Sequence, residues 1–576
     1  MPILKKYFIR YKISFIFIFI FLFFQVLCDL KLPDCTAGII NTIVKDKINF
    51  NFVFKNSINM LFMAITSGIA SISSILISTR VACKIVKDLR VEIFEKIISF
   101  NSCELDKFGT SSLITRCTND TNQIQNFLIM SSRMLFYAPM MAIGGIIMSS
   151  KHAKDMFWII FLSCLVIFIT IVINLFFTLP KFKLIQKLSD KINLILRENL
   201  SGLLVVRSFS KEFHEKNRFD KINKEITKMT LFVNRIMTSI MPFMFLIMNI
   251  TTVSVIYVSA KNIIEDKFEI GNMLAFIQYS TQVLISFLLL SFVISILPGA
   301  IISFKRVLEI LETKNIILDP IKPITNNLEN FESIEFKNVS FKYEKEDKLI
   351  LDNINFDVEL DKITAIVGQT GSGKTTIIKL LMRFYDVNSG EILINKINIK
   401  KIKQSNLREQ IGYASQKTVL FSGKIIENLK YGNDSASQKE IDDACKVSQV
   451  LNFINNSKDK FDFLISKDAN NLSGGQKQRL SIARAIIKKP KILIFDDSFS
   501  ALDFKTDSKI RKELKKIKNT AILIISQRIS NIIDADKIIF LEKGKVAGIG
   551  THKELLRTCK EYFKMVNSQT NNVKIL

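Results

Sequence analysis

Residues 363–381 read ITAIVGQTGSGKTTIIKLL: an apolar run, a glycine-rich loop and a second apolar run with helical spacing. The loop has the pattern G-x-x-x-x-G-K-T, from Gly368 to Thr375. Glycines at these positions let backbone N–H groups turn toward phosphate oxygens, and the helix that follows adds the positive end of its dipole. The stretch therefore predicts an α/β P-loop domain with a phosphate-binding site.

The side chains of this loop fit ATP and Mg²⁺. Lys374 is expected to reach the β- and γ-phosphates, and Thr375 to offer its hydroxyl to Mg²⁺. The predicted nucleotide-binding residues run from the end of the strand into the helix: Gly368, Gln369, Thr370, Gly371, Ser372, Gly373, Lys374, Thr375 and Thr376.

A second apolar run, residues 492–495, ends in two adjacent carboxylates, Asp496 and Asp497. A strand end that carries buried charge needs compensation. In a P-loop protein the ion held beside the phosphates supplies it, so Asp496 is predicted to face Mg²⁺.

The first half of the chain has a different composition. At 576 residues the chain is too long for one core, and long uncharged runs dominate it up to about residue 304. A membrane-spanning helix needs roughly 20 apolar residues. Six segments qualify by composition: 13–28, 56–79, 134–150, 156–180, 236–260 and 270–304. The first could instead be a signal peptide, although no small-residue cleavage site follows it.

The loops set the orientation. Residues 181–235 carry 13 Lys/Arg against six acids and residues 80–133 carry eight against six, whereas the loops 29–55, 151–155 and 261–269 are short and together nearly neutral. By the positive-inside rule the N-terminus, the two long loops and the P-loop domain are cytoplasmic, and the protein is a multi-pass protein of the plasma (inner) membrane.

The overall basicity has two competing explanations. A formal charge of +27 suggests nucleic acid or anionic lipid as partner, but the abundance of Lys, Asn, Ile and Phe also fits A+T-rich coding. Topology explains part of the charge, and no nucleic-acid partner is expected. The eight cysteines show no C-x-x-C pair, so neither a zinc site nor a disulfide framework is expected.

The predicted architecture is a membrane all-α domain, residues 1–304, followed by an α/β P-loop domain, residues 334–576. A polar linker, residues 305–333, joins them. Helical spacing in both long loops predicts that the membrane helices extend into the cytoplasm and turn back, with a turn near Gly202. A separate small helical domain is the alternative.

Residues 471–480 read NLSGGQKQRL, a motif that resembles the signature of a known protein family. With the P-loop upstream and Asp496 downstream, the chain closely resembles the ATP-binding cassette (ABC) exporters along essentially its whole length. The resemblance implies that two cassettes dimerise head to tail, so that the LSGGQ signature of one chain completes the ATP site of the other. It also implies that the tips of the long loops are coupling helices. The residues it adds are Tyr343 for adenine, Gln416 for Mg²⁺ and water, Asp503 for the opposing cassette, and Ser473, Gly474, Gly475 and Gln476 for the partner's ATP.

Two residues depart from the family pattern. Asp497 stands where the family has a glutamate as general base, and Gln527 stands where it has a histidine that contacts the γ-phosphate. A carboxylate one methylene shorter is held further from the water, and an amide cannot change its protonation state. The binding groups are intact, so the site with catalytic residues Asp497, Gln527 and Gln416 is expected to bind MgATP and hydrolyse it slowly. Those binding groups are Tyr343, Lys374, Thr375, Gln416 and Asp496.

These departures favour a heterodimer. A homodimer would contain two slow sites, yet the LSGGQ signature that serves the partner is intact. The pattern resembles the degenerate subunit of bacterial heterodimeric multidrug exporters. A homodimeric exporter or flippase of lipid or peptide, an ATP-gated channel or regulatory subunit, and an importer remain alternatives, whereas six spans argue against a role in DNA repair or translation.

The expected substrates are hydrophobic or amphipathic compounds, drugs or lipids. Gln278 and Gln282 lie one turn apart on the last membrane helix and could orient such a ligand. Hydrogen bonding to a neighbouring helix is an equally good explanation for both.

Overall fold

The computed structural model describes residues 6–7, 9–44, 50–265, 268–324, 331–343 and 346–570. They fall into two compact units, one within residues 1–99 and 108–313 and the other within residues 100–107 and 314–576. Residues 325–330 of the predicted linker lie outside the described part.

The first unit is helical. Among the described residues, six helical stretches are long and apolar enough to cross a membrane. The helices are α1 Lys12–Val44, α2 Phe50–Ile98, α3 Ser102–Phe108 (mostly in the second unit), α4 Thr110–Thr115, α5 Thr121–His152, α6 Phe157–Ser201, α7 Leu203–Ser208, α8 Glu212–Ile264 and α9 Ile270–Glu312, with a π-helical turn at Arg116–Asp120 and a 3₁₀ turn at Lys154–Met156.

The predicted continuation of membrane helices into the cytoplasm is confirmed. Helix α6 runs without a break over 45 residues and α8 over 53. Gly202 ends α6, where its N–H donates to the carbonyl of Glu198 at 2.9 Å, and the short helix α7 leads into the returning α8.

Glycines set the close packing of α1, α5 and α9. A Cβ placed on Gly145 of α5 would lie 2.6 Å from Val283 Cγ2 of α9, and one on Gly271 of α9 would lie 2.3 Å from the carbonyl oxygen of Ala37 on α1. Small residues let membrane helices approach closely. These three helices therefore form a tight contact at the ends opposite their cytoplasmic extensions.

The second unit is an α/β domain with two main sheets. The strands are β1 Ser333–Phe341, β2 Leu351–Glu359, β3 Ile363–Gly368, β4 Ser389–Ile394, β5 Ile397–Asn398, β6 Ile411–Ala414, β7 Gly423–Lys424, β8 Leu464–Ile465, β9 Ile492–Asp496, β10 Ala521–Ser526, β11 Lys537–Glu542 and β12 Lys545–Gly550. The helices are α10 Lys374–Leu381, α11 Gln404–Glu409, α12 Ile425–Lys430, α13 Gln438–Val447, α14 Leu451–Asn456, α15 Gly474–Ile487, α16 Phe504–Leu514, α17 His552–Thr558 and α18 Lys560–Thr570.

The larger sheet positions the site. Its order is β12-β11-β3-β10-β9-β6, and every neighbouring pair except β11–β12 is parallel. Strands β3, β9 and β10 are apolar and fully buried. Because the carboxyl ends of parallel strands share one edge, the residues after these three strands meet there.

Residues 100–107 belong to the α/β unit although they lie between two membrane helices in sequence. Glu104 accepts from the N–H of Ile316 at 2.7 Å, and Asn101 donates to the carbonyl of Ile317 at 3.4 Å. Cys103 packs against the hydrophobic core that includes residues of β1 and β2. The tip of the first cytoplasmic loop is thus part of the nucleotide-binding fold.

Candidate nucleotide-binding site

The glycine-rich loop follows β3 and has the backbone that its glycines predict. Gly371 and Gly373 have φ angles of 83° and 97°, a left-handed conformation that side chains disfavour. A Cβ on Gly368 would lie 2.2 Å from the carbonyl oxygen of Leu541, so no larger residue fits at the start of the loop. The loop ends at Gly373, which caps the N-terminus of α10.

Lys374 is buried within the loop that it serves. Its Nζ donates to the carbonyls of Gly368 and Gln369, each at 2.7 Å. Burial lowers the pKa of Lys374, although Asp497 and Asp496 nearby partly oppose the shift. The ammonium is therefore held at the loop by backbone oxygens, within reach of phosphates placed on the same loop.

Most of the predicted site residues line one cavity of about 260 Å³. The predicted residues in its wall are Thr370, Gly371, Gly373, Lys374, Thr375, Thr376, Gln416, Asp496, Asp497 and Gln527. Gly368, Gln369 and Ser372 line an adjoining cleft on the far side of the loop.

Thr375 and Asp496 are placed as a magnesium site requires. The hydroxyl of Thr375 donates to Asp496 Oδ1 at 3.3 Å, and Tyr413 donates to Oδ2 at 3.4 Å. Asp496 is only 2 % exposed, and this burial raises its pKa. Mg²⁺ prefers oxygen ligands and commonly takes one or two from the protein, with phosphates and waters as the others. The hydroxyl of Thr375, the carboxylate of Asp496 and the amide of Gln416 fit that set.

The two departures from the family pattern face the same cavity. Asp497 is half-buried, with its N–H bonded to the carbonyl of Ile525 at 2.9 Å. Burial raises its pKa, against the opposing effects of Arg528 and Lys374. The amide oxygen of Gln527 accepts from the hydroxyl of Thr370 at 3.1 Å. Both side chains therefore lie beside the phosphate loop, and Gln527 is bonded to it.

Tyr343 lies at the edge of the site rather than in the cavity wall. Its hydroxyl is 3.3 Å from that of Thr376, and its ring meets Phe341 and Tyr385 edge-on at centroid distances of 5.0 and 5.1 Å. Lys379 lies over the Tyr343 ring, 5.7 Å from its centroid. These contacts fix the orientation of the ring that the resemblance assigns to adenine.

The LSGGQ signature lies away from this cavity. Ser473 caps α15 through a reciprocal pair: the N–H of Gln476 donates to the Ser473 hydroxyl at 3.3 Å, and the N–H of Ser473 donates to Gln476 Oε1 at 2.8 Å. Ser473 and Gly474 are exposed, and Gly475 is half-buried. In the described part of the chain the four signature residues present a capped helix N-terminus on the surface, outside the chain's own ATP cavity.

Asp503 is also on the surface. It caps α16 by accepting from the N–H of Thr506 at 2.9 Å, and this hydrogen bonding lowers its pKa. A link to the signature helix comes from Gln478, whose side chain accepts from the N–H of Ala501 at 3.0 Å. The segment before Asp503 and helix α15 are therefore tied together.

Three further residues support the site and were missed from sequence. Tyr413 donates to Asp496, Tyr385 joins the Tyr343 ring to the carboxylate of Asp106 with a hydroxyl bond of 3.0 Å, and Gln569 of α18 bonds the loop that carries Gln527. Burial and the bond to Asp106 raise the pKa of Tyr385. Only Tyr413 carried a sequence signal, since it lies on the strand before Gln416.

Two protein-family models match the chain. Residues 15–287 match the family model of the ABC transporter transmembrane region, and residues 351–500 match that of the ABC transporter. The uncharacterized ABC transporter ATP-binding protein YfiB of Bacillus subtilis is 34% identical over 548 residues, which cover 95% of this chain and 94% of the relative.

Two other similar proteins carry more specific descriptions. An ATP-dependent lipid A-core flippase of Syntrophus aciditrophicus is 30% identical over 534 residues, covering 90% of this chain and 85% of the relative. A solved bacterial Atm1-family ABC exporter with ATP bound has the same fold, with a TM-score of 0.84, 23% identity and coverage of 97% and 98% of the two chains.

Proposed function

Because the chain belongs to the ABC transporter family, as a multi-pass membrane protein with an ATPase domain in the cytoplasm that uses ATP and Mg²⁺, we propose a specific role within ATP-driven export. The chain is one half of a heterodimeric exporter, and its own ATP site binds nucleotide but hydrolyses it slowly. The main support for this proposal is that Asp497 and Gln527 line the same cavity as Lys374, Thr375 and Asp496.

The binding side of this role rests on the intact groups of the cavity. Lys374 and the loop N–H groups bind phosphate oxygens, and Tyr343 offers its ring to adenine. Thr375, Gln416 and Asp496 hold Mg²⁺, which stabilises negative charge that develops on the phosphates.

The slow chemistry rests on the reach of Asp497 and the bonding of Gln527. Among the described residues that line the cavity, Asp497 is the carboxylate left to orient water if Asp496 serves the metal, and its side chain is one methylene shorter than that of glutamate. The amide oxygen of Gln527 already accepts a hydrogen bond from Thr370, and the side chain has no titratable group to offer the γ-phosphate. Both effects reduce the rate without removing binding.

The pairing with a different chain rests on the signature. Ser473 and Gly474 are exposed at the N-terminus of a 14-residue helix, a ready site for the phosphate of another chain. The partner in this proposal is a second ABC half-transporter that supplies glutamate and histidine at its own P-loop site. Export of hydrophobic or amphipathic compounds is the transport step, and the similarity to a lipid A-core flippase supports a lipid among them.

The test compares ATPase activity of the purified chain alone with that of the chain co-purified with a partner half-transporter. The lone chain is expected to bind ATP with little turnover, and the pair to hydrolyse it rapidly. Robust turnover by the lone chain would refute the proposal. In the pair, Ser473→Ala should abolish most activity, whereas the matched control Ser437→Ala removes the same kind of helix cap from α13 and should not.

A further inference from the structure

Helix α1 carries a half-buried carboxylate, Asp29, one residue beyond the apolar segment 13–28 and within the same helical bundle. Its oxygens accept from two other helices: Ser67 of α2 donates to Oδ1 at 2.6 Å, and Tyr137 of α5 donates to Oδ2 at 3.2 Å. Within the described residues no lysine, arginine or histidine forms an ion pair with Asp29. A partly buried carboxylate without a cation is costly in an apolar helical bundle, and such groups commonly mark functional sites.

Among the described residues, two amide oxygens beside Asp29 have no hydrogen-bond donor. Gln25, four residues earlier on the same face of α1, is 7 % exposed, and its Oε1 is buried without a hydrogen-bond partner. Gln282 of α9 donates through Nε2 to the backbone carbonyl of Asp29 at 3.1 Å, and its own Oε1 is likewise buried and unpartnered. The contact to α1 favours the helix-bonding explanation for Gln282 but leaves its oxygen free.

The cluster therefore combines a carboxylate that has hydroxyl donors but no cationic partner with two amide oxygens that lack donors, all among the described residues. Buried acceptors are normally satisfied, so each unfilled one indicates a missing group. A primary ammonium has three N–H donors and a positive charge. It matches one carboxylate and two amide oxygens in both number and charge.

Other charged groups flank the cluster on both sides. One turn toward the cytoplasm, Arg133 of α5 donates to Ser71 of α2 at 3.0 Å. One turn or more outward, Asp34 Oδ1 lies 2.7 Å from His152 Nε2 and accepts a hydrogen bond from Tyr279 at 2.5 Å. Lys31 is exposed. Thus a carboxylate that has no ion-pair partner among the described residues is followed, one turn inward, by a guanidinium.

We propose that Asp29, Gln25 and Gln282 form a binding site for the primary ammonium of a zwitterionic amphipath, with Arg133 next to its anionic group. The chemical class is a headgroup in which an amine and a phosphate are close together, as in an aminophospholipid. This inference rests on the proposed export of amphipathic compounds and names the headgroup that the transport path recognises.

A direct binding measurement tests it without nucleotide. The full-length chain in detergent micelles is titrated with dioctanoyl phosphatidylethanolamine, phosphatidylcholine and phosphatidylglycerol, and binding is followed by native mass spectrometry. Phosphatidylcholine keeps the charges but has no N–H donor, and phosphatidylglycerol has no amine. The ethanolamine lipid is expected to bind at least about tenfold more tightly than either. Equal binding of all three would overturn the inference.

A fourth probe, dodecylamine, separates a zwitterion from a plain cation. Because Arg133 repels an isolated positive charge, the amine should bind more weakly than the ethanolamine lipid. Binding as tight as that of the lipid would refute the role of Arg133 and with it the assignment to a zwitterion.

Variants locate the site. Gln25→Met removes one acceptor with little change in volume, and Asp29→Asn removes the charge; each should abolish the preference for ethanolamine over choline. The control Gln125→Met alters a glutamine of α5 three turns further inward, whose side chain contacts Cys83 at 3.6 Å, and should leave the preference intact. If Asp29→Asn fails to fold, as shown by a lost melting transition, Gln25→Met decides alone.

The outcome is separable from that of the proposed function. If the wild-type chain shows no preference for the ethanolamine lipid but hydrolyses ATP slowly when alone, only the headgroup site is overturned. Rapid lone-chain ATPase with the preference present would overturn the unequal pair and leave the headgroup site in place.

Discussion

Replacing Asp497 with Glu and Gln527 with His in the lone chain should raise its rate of ATP hydrolysis. The two side chains line the cavity that holds Lys374 and Thr375, so the exchange restores a general base and a phosphate contact without touching the binding groups. In the heterodimer the same exchange should change little, because the partner's site already carries most of the turnover.

The expected magnitude follows from the reach of the side chain. Glutamate extends the carboxylate by one C–C bond, about 1.5 Å. A misplacement of about 1 Å can cost on the order of 10²-fold in rate, so kcat should rise by about that factor while KM for ATP changes little. Asp497 has a φ of 46°, which aspartate tolerates better than glutamate, so the variant should also lose about 1 kcal/mol of stability.

The assay is steady-state ATPase of the purified lone chain, with a melting curve to detect the stability cost separately. Asp497→Asn is the matched control: it keeps the length and removes the carboxylate, so it should fall below the wild-type rate. A double variant that binds ATP normally and stays as slow as the wild type would refute the attribution of slowness to these two residues.

Three other results are expected. Gln569→Met removes two hydrogen bonds that hold the loop of Gln527: Nε2 donates to the carbonyl of Gln527 at 2.8 Å, and Oε1 accepts from the N–H of Ile529 at 2.9 Å. The loss should weaken ATP binding about fivefold in a nucleotide titration. Tyr385→Phe keeps the ring but loses the bond to Asp106, so transport by the pair should fall while ATP affinity stays unchanged; lowered affinity would contradict this. Burial raises the pKa of Cys445 to about 12, so the thiol stays protonated at pH 8 and should react with maleimide only after unfolding, as peptide mass spectrometry would show.

The fold class was predictable because its signals are local. Six uncharged segments, a strand–glycine loop–helix and helical spacing in the long loops each depend on neighbours in sequence. Where the helices end was not predictable in the same way: α1 continues past its apolar run to Val44 and includes Asp29 and Asp34. Hydroxyl groups from α2 and α5 satisfy Asp29, and no short-range pattern reveals those partners.

In the candidate site, too, residues within local motifs were predictable and residues that act through distant contacts were not. Lys374, Thr375 and Asp496 could be named because motif spacing fixes their chemistry. Tyr385 and Gln569 could not, since their roles depend on contacts to residues 279 and 42 positions away in sequence. The roles of Asp497 and Gln527 remain proposals, although their place in one cavity is what those roles require.

The membership of residues 100–107 in the α/β unit has a consequence for biosynthesis. These residues leave the ribosome about two hundred positions before the segment 314–318 that Asn101 and Glu104 contact. The α/β unit therefore cannot complete its core during translation until residues 314–318 have been synthesised and have packed against residues 100–107. A cassette produced from residue 314 onward would lack Cys103 from its core and Asp106 from Tyr385. A segment from the membrane half of the chain is thus required to complete the fold of the ATPase.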